Sequence, residues 1–203
     1  MNRTAAIALI GGALALIVVA VMVLRPAPEL ASDPQPTPPP ESLPPVEPGE
    51  GVLARLYFPG DDERLHQVER ELPLEGPLED RARVLLLALL EGPEAAQPDL
   101  VDELSPALPE GMAVRHVFRP EPALLLVDLE PPASPAALAM GSRQELLVVY
   151  SVVNTLVLNL DGIERVALLL AGVQRPTFAG HVDTTRPLAA DRRLISFSAS
   201  PSG

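Results

Sequence analysis

His181 and Asp183 lie two residues apart, and Arg186 follows closely. On an extended strand alternate side chains share a face, so an imidazole and a carboxylate at this spacing can address one ligand. A metal site would need at least one more donor. The only other histidines, His66 and His116, fall in separate predicted strands or hairpins. No metal or cofactor is therefore expected, and the candidate binding residues are Phe178, Gly180, His181, Asp183 and Arg186. The ordinary alternative is a polar network that ties down a terminal loop, with glycine for a tight turn, His181 bonded to backbone and Asp183 paired with Arg186.

Other candidate chemistry is thinner. Glu69 and Glu71 alternate with Val68, Arg70 and Leu72. Paired carboxylates hydrolyse glycosides, but the same alternation describes the solvent face of an edge strand. Asp61-Asp62-Glu63 lacks the spaced oxygen ligands of a calcium loop and reads as a turn. Ser142 and Ser151 have no histidine in a suitable sequence context for a nucleophile. Tyr57, Phe58 and Phe178 read as core rather than as a sugar platform. No catalytic residue emerges, and a non-enzymatic role is expected.

The totals exclude further classes. The chain has 203 residues and a formal net charge of −12, and an acidic surface repels phosphate backbones, so nucleic acid is not an expected partner. There are no cysteines, which removes disulfides and thiolate chemistry. All 15 basic side chains are arginine, which excludes a lysine nucleophile. Aromatic content of 3% argues against stacking platforms.

The elements that must position these residues can be read from periodicity. In Ser142–Leu160, Leu146, Val149, Tyr150, Val153, Leu156, Val157 and Leu160 recur at helical spacing, with Asn154 and Asn159 off that stripe. Ser142 and Glu145 read as a capping box, and Asp161-Gly162 as the stop. Ile163–Leu170 follows as a strand. Upstream, Val52–Phe58 and Leu65–Leu72 form a predicted hairpin, and Leu78–Leu90 a helix ended by Gly92-Pro93. Met112–Phe118 and Leu124–Leu129 form a second hairpin, and Thr177–Val182 reads as a last short strand. Hairpins interleaved with two helices imply an α+β domain: one mixed sheet with both helices on one face.

Residues 1–51 are of another kind. Ala5–Leu24 carries no charge over twenty residues, roughly the 30 Å of a bilayer core, and is expected to be an uncleaved anchor rather than a cleaved signal peptide. Residues 26–51 form a proline-rich acidic spacer. The expected organisation is an anchor at 1–25, a linker at 26–51, a folded domain at 52–190 and a polar flexible tail at 191–203.

Residues 52–190 resemble the GerMN domain of sporulation and spore germination. The resemblance rests on Leu56-Tyr57-Phe58-Pro59, Val68-Glu69-Arg70-Glu71-Leu72, Leu89-Leu90-Glu91-Gly92-Pro93, Leu108-Pro109-Glu110-Gly111 and Val127-Asp128-Leu129. It continues through Glu145, Tyr150 and Thr155, then Gly162-Ile163-Glu164-Arg165-Val166, Phe178-Ala179-Gly180-His181-Val182-Asp183 and Arg186-Pro187-Leu188. The chain departs from the pattern at Leu170-Ala171-Gly172, where an acidic residue usually precedes the glycine, and at Ala179, where a second glycine is common. The resemblance implies a fold like that of ring-building domains and no established catalytic activity. It places the domain outside the cytoplasm, tethered to the cell membrane by a single span. The expected partners are envelope proteins or further copies of the chain, with peptidoglycan or a wall peptide as the alternative.

Overall fold

The computed structural model of the protein describes residues 51–93 and 103–196. The predicted anchor and almost all of the linker lie outside the described residues, among which no helix is long and apolar enough to cross a membrane. The elements run β1 (Val52–Pro59), β2 (Leu65–Leu72), α1 (Leu78–Glu91), β3 (Ala113–Glu121), β4 (Leu124–Glu130), α2 (Ser142–Asn159), β5 (Arg165–Leu170) and β6 (Leu188–Ala189). Single 3-10 turns occupy Pro135–Leu138 and Arg192–Leu194.

The α+β class and the two helices stand, but the single sheet becomes two. β1 and β2 form their own antiparallel pair, from Val52 opposite Leu72 to Pro59 opposite Leu65. The second sheet runs β3-β4-β5-β6 and is mixed, because β4 and β5 are parallel while the outer pairs are antiparallel. The reason for the split lies along the outer edge of β1. There the Arg55 amide donates to Asn159 Oδ1 (2.9 Å), the Arg55 carbonyl accepts from Asn159 Nδ2 (2.7 Å), and the Tyr57 amide donates to Thr155 Oγ1 (3.2 Å). Side chains of α2 thus occupy the backbone groups that another strand would need.

The sheets and helices share one core. Leu125, Val127 and Leu129 alternate along β4 with no exposure and meet Val149, Val153 and Leu156 of α2. Leu85, Leu86 and Leu89 of α1 join them, with Leu56 and Phe58 of β1. Glu79 and Asp80 suit the positive end of α1. Its C-terminus is stopped by Gly92 at φ 89°, a conformation that favours glycine. Arg70 of β2 then holds that end, donating to the Gly92 carbonyl and the Glu91 carboxylate, both at 2.8 Å.

Helix α2 departs most from its sequence pattern. The predicted stripe is only part of the buried surface, because Asn154, Thr155 and Ser151 have no exposure while Tyr150 and Val157 are half-buried. The capping box does not form: Gly141 is the N-cap, and it makes no side-chain cap bond. Ser142 is the first helical residue, so Glu145 falls one position beyond the box and turns inward.

Candidate functional site

Glu145 organises the carboxy-terminal part of the domain. Its carboxylate has no exposure. Oε1 accepts from the amides of Ala179 (2.8 Å) and Val182 (2.9 Å), and Oε2 from the amide and ring Nδ1 of His181, both at 2.8 Å. Burial pushes its pKa up, but the three amides and the imidazole outweigh it and hold the group below its ordinary value of 4.5. An ionised carboxylate only accepts, so Nδ1 of His181 carries the proton. Nε2 is left without a protein partner among the described residues, on a side chain 48% exposed.

This arrangement overturns the predicted strand at Thr177–Val182. Three of its amides are spent on Glu145, leaving one bridge between Thr177 and Asp183, and β6 forms instead at Leu188–Ala189. Gly180 takes φ 128°, which lets successive amides converge on one carboxylate. Residues 171–187 therefore form a strap rather than a strand. Its entry is pinned by Asp128, whose Oδ1 accepts the Gly172 amide at 2.7 Å. Ala171 is held at φ 53°, with its amide on the Leu129 carbonyl. The exit is pinned by Asn154, which exchanges two bonds with the Asp191 backbone (2.9 and 3.1 Å). Residues 191–196 are consequently not part of a free tail, since Leu194 and Ile195 pack with Tyr57, Leu65 and Leu147. Residues 197–203 lie outside the described residues.

The five candidate residues do not form one site. Phe178 is core, 3% exposed. Gly180 lies with it along a separate groove beside Pro135 and Leu138. Arg186 is exposed, and the expected Asp183–Arg186 pair is replaced by Asp183 Oδ1 accepting from the Thr185 hydroxyl (2.6 Å) and amide (2.8 Å). Those two bonds hold Asp183 below the usual carboxylate range. Only His181 and Asp183 stay together, on an open cleft of about 490 Å³ whose other side is the start of α2. Ser142, Arg143, Leu146 and Tyr150 face it from the helix. Burial, with a smaller push from Asp191, raises the Tyr150 hydroxyl pKa.

The sequence also hid Glu145, Asn154, Thr155 and Asn159 behind local rules. The signal that could have exposed them is polar side chains inside an otherwise apolar helix, which demands partners elsewhere. The other constellations resolve as expected: Glu69 and Glu71 are exposed on β2, and Asp62 caps its turn through the Arg64 amide and His66.

Residues 55–175, more than half of the chain, match the family described as Germane: Sporulation and spore germination. The chain belongs to this family. Its fold is similar to the first GerMN domain of the sporulation protein GerM from Bacillus subtilis, at 20% identity and a TM-score of 0.51, covering 70% of this chain and 98% of that one. The tandem GerMN domains of the same protein give 19% identity and a TM-score of 0.48, covering 68% of this chain and 46% of that one. No curated protein matches. Glu145 lies inside the matched residues, whereas Ala179, His181 and Val182, whose amides donate to it in one latch, lie beyond their end at residue 175.

Proposed function

We propose that this member of the sporulation and germination family is a non-catalytic module, tethered outside the cell membrane by Ala5–Leu24, that holds protein partners or further copies of itself at the envelope. The uncharged run and the acidic proline-rich spacer support the tether. The observation that carries the interaction reading is the outer half of β3. This strand ends the four-stranded sheet, and among the described residues Arg83 of α1 occupies only the Val114 and Arg115 carbonyls at its beginning. Beyond them Phe118 is 52% exposed and stacked on His116, with ring centroids 5.6 Å apart. An edge with open backbone groups and an aromatic anchor suits strand addition, and membrane tethering raises the effective concentration of weak contacts.

The test is photo-crosslinking in cells of the full chain carrying the reactive group at position 118 or, as a control, at Glu75. Discrete adducts from 118 alone are expected, together with recovery in the membrane fraction. The same pattern from both positions would remove the β3 edge from the reading. A mature amino terminus between Pro26 and Gly51 would remove the tether.

A further inference from the structure

The cleft between the first turns of α2 and the strap carries features that neither the latch nor the β3 edge uses. Three amides already satisfy the latch, and the fourth donor on Glu145 is the ring of His181, on a side chain that solvent reaches. That bond fixes the tautomer, so the neutral ring presents Nε2 as an acceptor. Asp183 adds a second, charged acceptor: its Oδ1 is taken by Thr185, and Oδ2 has no protein partner among the described residues. On the helix side stands Arg143. Its Nη2 donates to the Glu63 carbonyl and its buried Nε lies 3.8 Å from the Glu63 carboxylate, while Nη1 has no protein partner among the described residues, on a side chain 41% exposed. Between these groups the wall is apolar, made by Leu146, Tyr150, Val182 and Leu188.

An anion-seeking group, an acceptor pair and an apolar wall on one cleft define a ligand of complementary chemistry. We propose that this cleft binds a short zwitterionic peptide. Its ammonium group donates to Asp183 Oδ2 and His181 Nε2, its carboxylate meets Arg143, and an aliphatic side chain lies on Leu146, Tyr150 and Leu188. A volume of about 490 Å³ lies within the usual range of small-ligand pockets, about 300–1,000 Å³. The ligand is a free short peptide, because either end of a longer one carries only one of the two charges. The proposal is independent of the β3 edge, which lies on another element.

The experiment follows the three imidazoles of the full-length chain by NMR after 15N-histidine labelling, with His181→Ala assigning the signal. The probe is the dipeptide Leu-Ala, compared with its N-acetylated form, its carboxyamide and a longer peptide beginning Leu-Ala. A saturable shift at His181 with Leu-Ala is expected. Each blocked form should bind about tenfold more weakly or worse, the worth of one charge-assisted hydrogen bond. The longer peptide reports whether a free carboxylate at the second position is needed, and binding as weak as that of the carboxyamide confirms the Arg143 contact. Asp183→Asn should erase discrimination against the acetylated form only, and Arg143→Gln discrimination against the carboxyamide only, with melting temperature followed throughout. Asp183 is exposed and outside the latch, so its variant tests the proposal even where Arg143→Gln loosens the Glu63 turn. No saturable shift with Leu-Ala, or equal affinity for all four probes, overturns the assignment.

Discussion

Helix α2 holds the outer edge of β1 and the carboxy-terminal strap by chemically opposite means. At β1 the work is done by neutral groups: Asn159 exchanges two bonds with the Arg55 backbone, and Thr155 accepts one from Tyr57. At the strap it falls to one buried charge, Glu145, with Asn154 closing the far end. An amide imitates a neighbouring strand, offering a donor and an acceptor side by side. A carboxylate offers only acceptors, so it gathers amides that all point one way, which forces the loop of Gly180. The first clamp fits a straight strand and the second a turn. Only the second responds to acid.

The largest expected effect strikes both regions together. Leu156 is fully buried in the shared core, and Leu156→Ala should cost about 2–5 kcal/mol in chemical denaturation, with both clamps loosening at one midpoint. Unequal midpoints would show that the two regions are held independently.

Next comes Glu145→Gln. It keeps the shape but turns one acceptor into a donor facing the His181 amide and ring. We expect a loss of about 2–4 kcal/mol, with faster hydrogen exchange at the Ala179, His181 and Val182 amides and little change at Arg55 and Tyr57. Faster exchange at β1 of the same size would dissolve the contrast. Asn159→Ala should do the reverse at about 1–2 kcal/mol, exposing the Arg55 amide to exchange and sparing the strap. This opposes the tolerance that its place off the apolar stripe suggests.

The smallest effect is the acid response. Glu145 has a folded pKa below its ordinary 4.5, so the unfolded chain binds more protons as pH falls. Its contribution is complete above about 4.5 and is lost as pH drops through the folded value. Strap amides should therefore keep their protection at pH 5 and lose it at lower pH before the Arg55 amide does. Simultaneous loss at both clamps would make acid unfolding global, with Asp62 and Asp191, whose pKa values are also lowered, as contributors.

Much of the fold was legible because its signals are local. The two hairpins follow alternation around turn clusters, and α1 and α2 follow apolar recurrence, with boundaries within a few residues of the observed ones. The candidate site was legible only in half. His181 and Asp183 were found by type and spacing, but their geometry was misassigned because the residue that shapes it lies 36 positions earlier in the chain. Glu145 was assigned to a capping box because Ser142 and Glu145 satisfy that local pattern. A shift of one residue in the helix start was enough to send it to the strap.

By itself the sequence determined the class, the elements from β1 to β5 and the family, because periodicity, turn chemistry and ordered motifs need no knowledge of distant contacts. Tertiary structure alone decided what the polar residues of α2 are for. Asn159 meets Arg55 across 104 positions and Asn154 meets Asp191 across 37, separations at which no local rule operates. The same contacts decided that the strands form two sheets, since the edge of β1 was already occupied. The physical reason is the obligation to pair buried backbone and side-chain polar groups, which fixes partners only once the chain has brought them together.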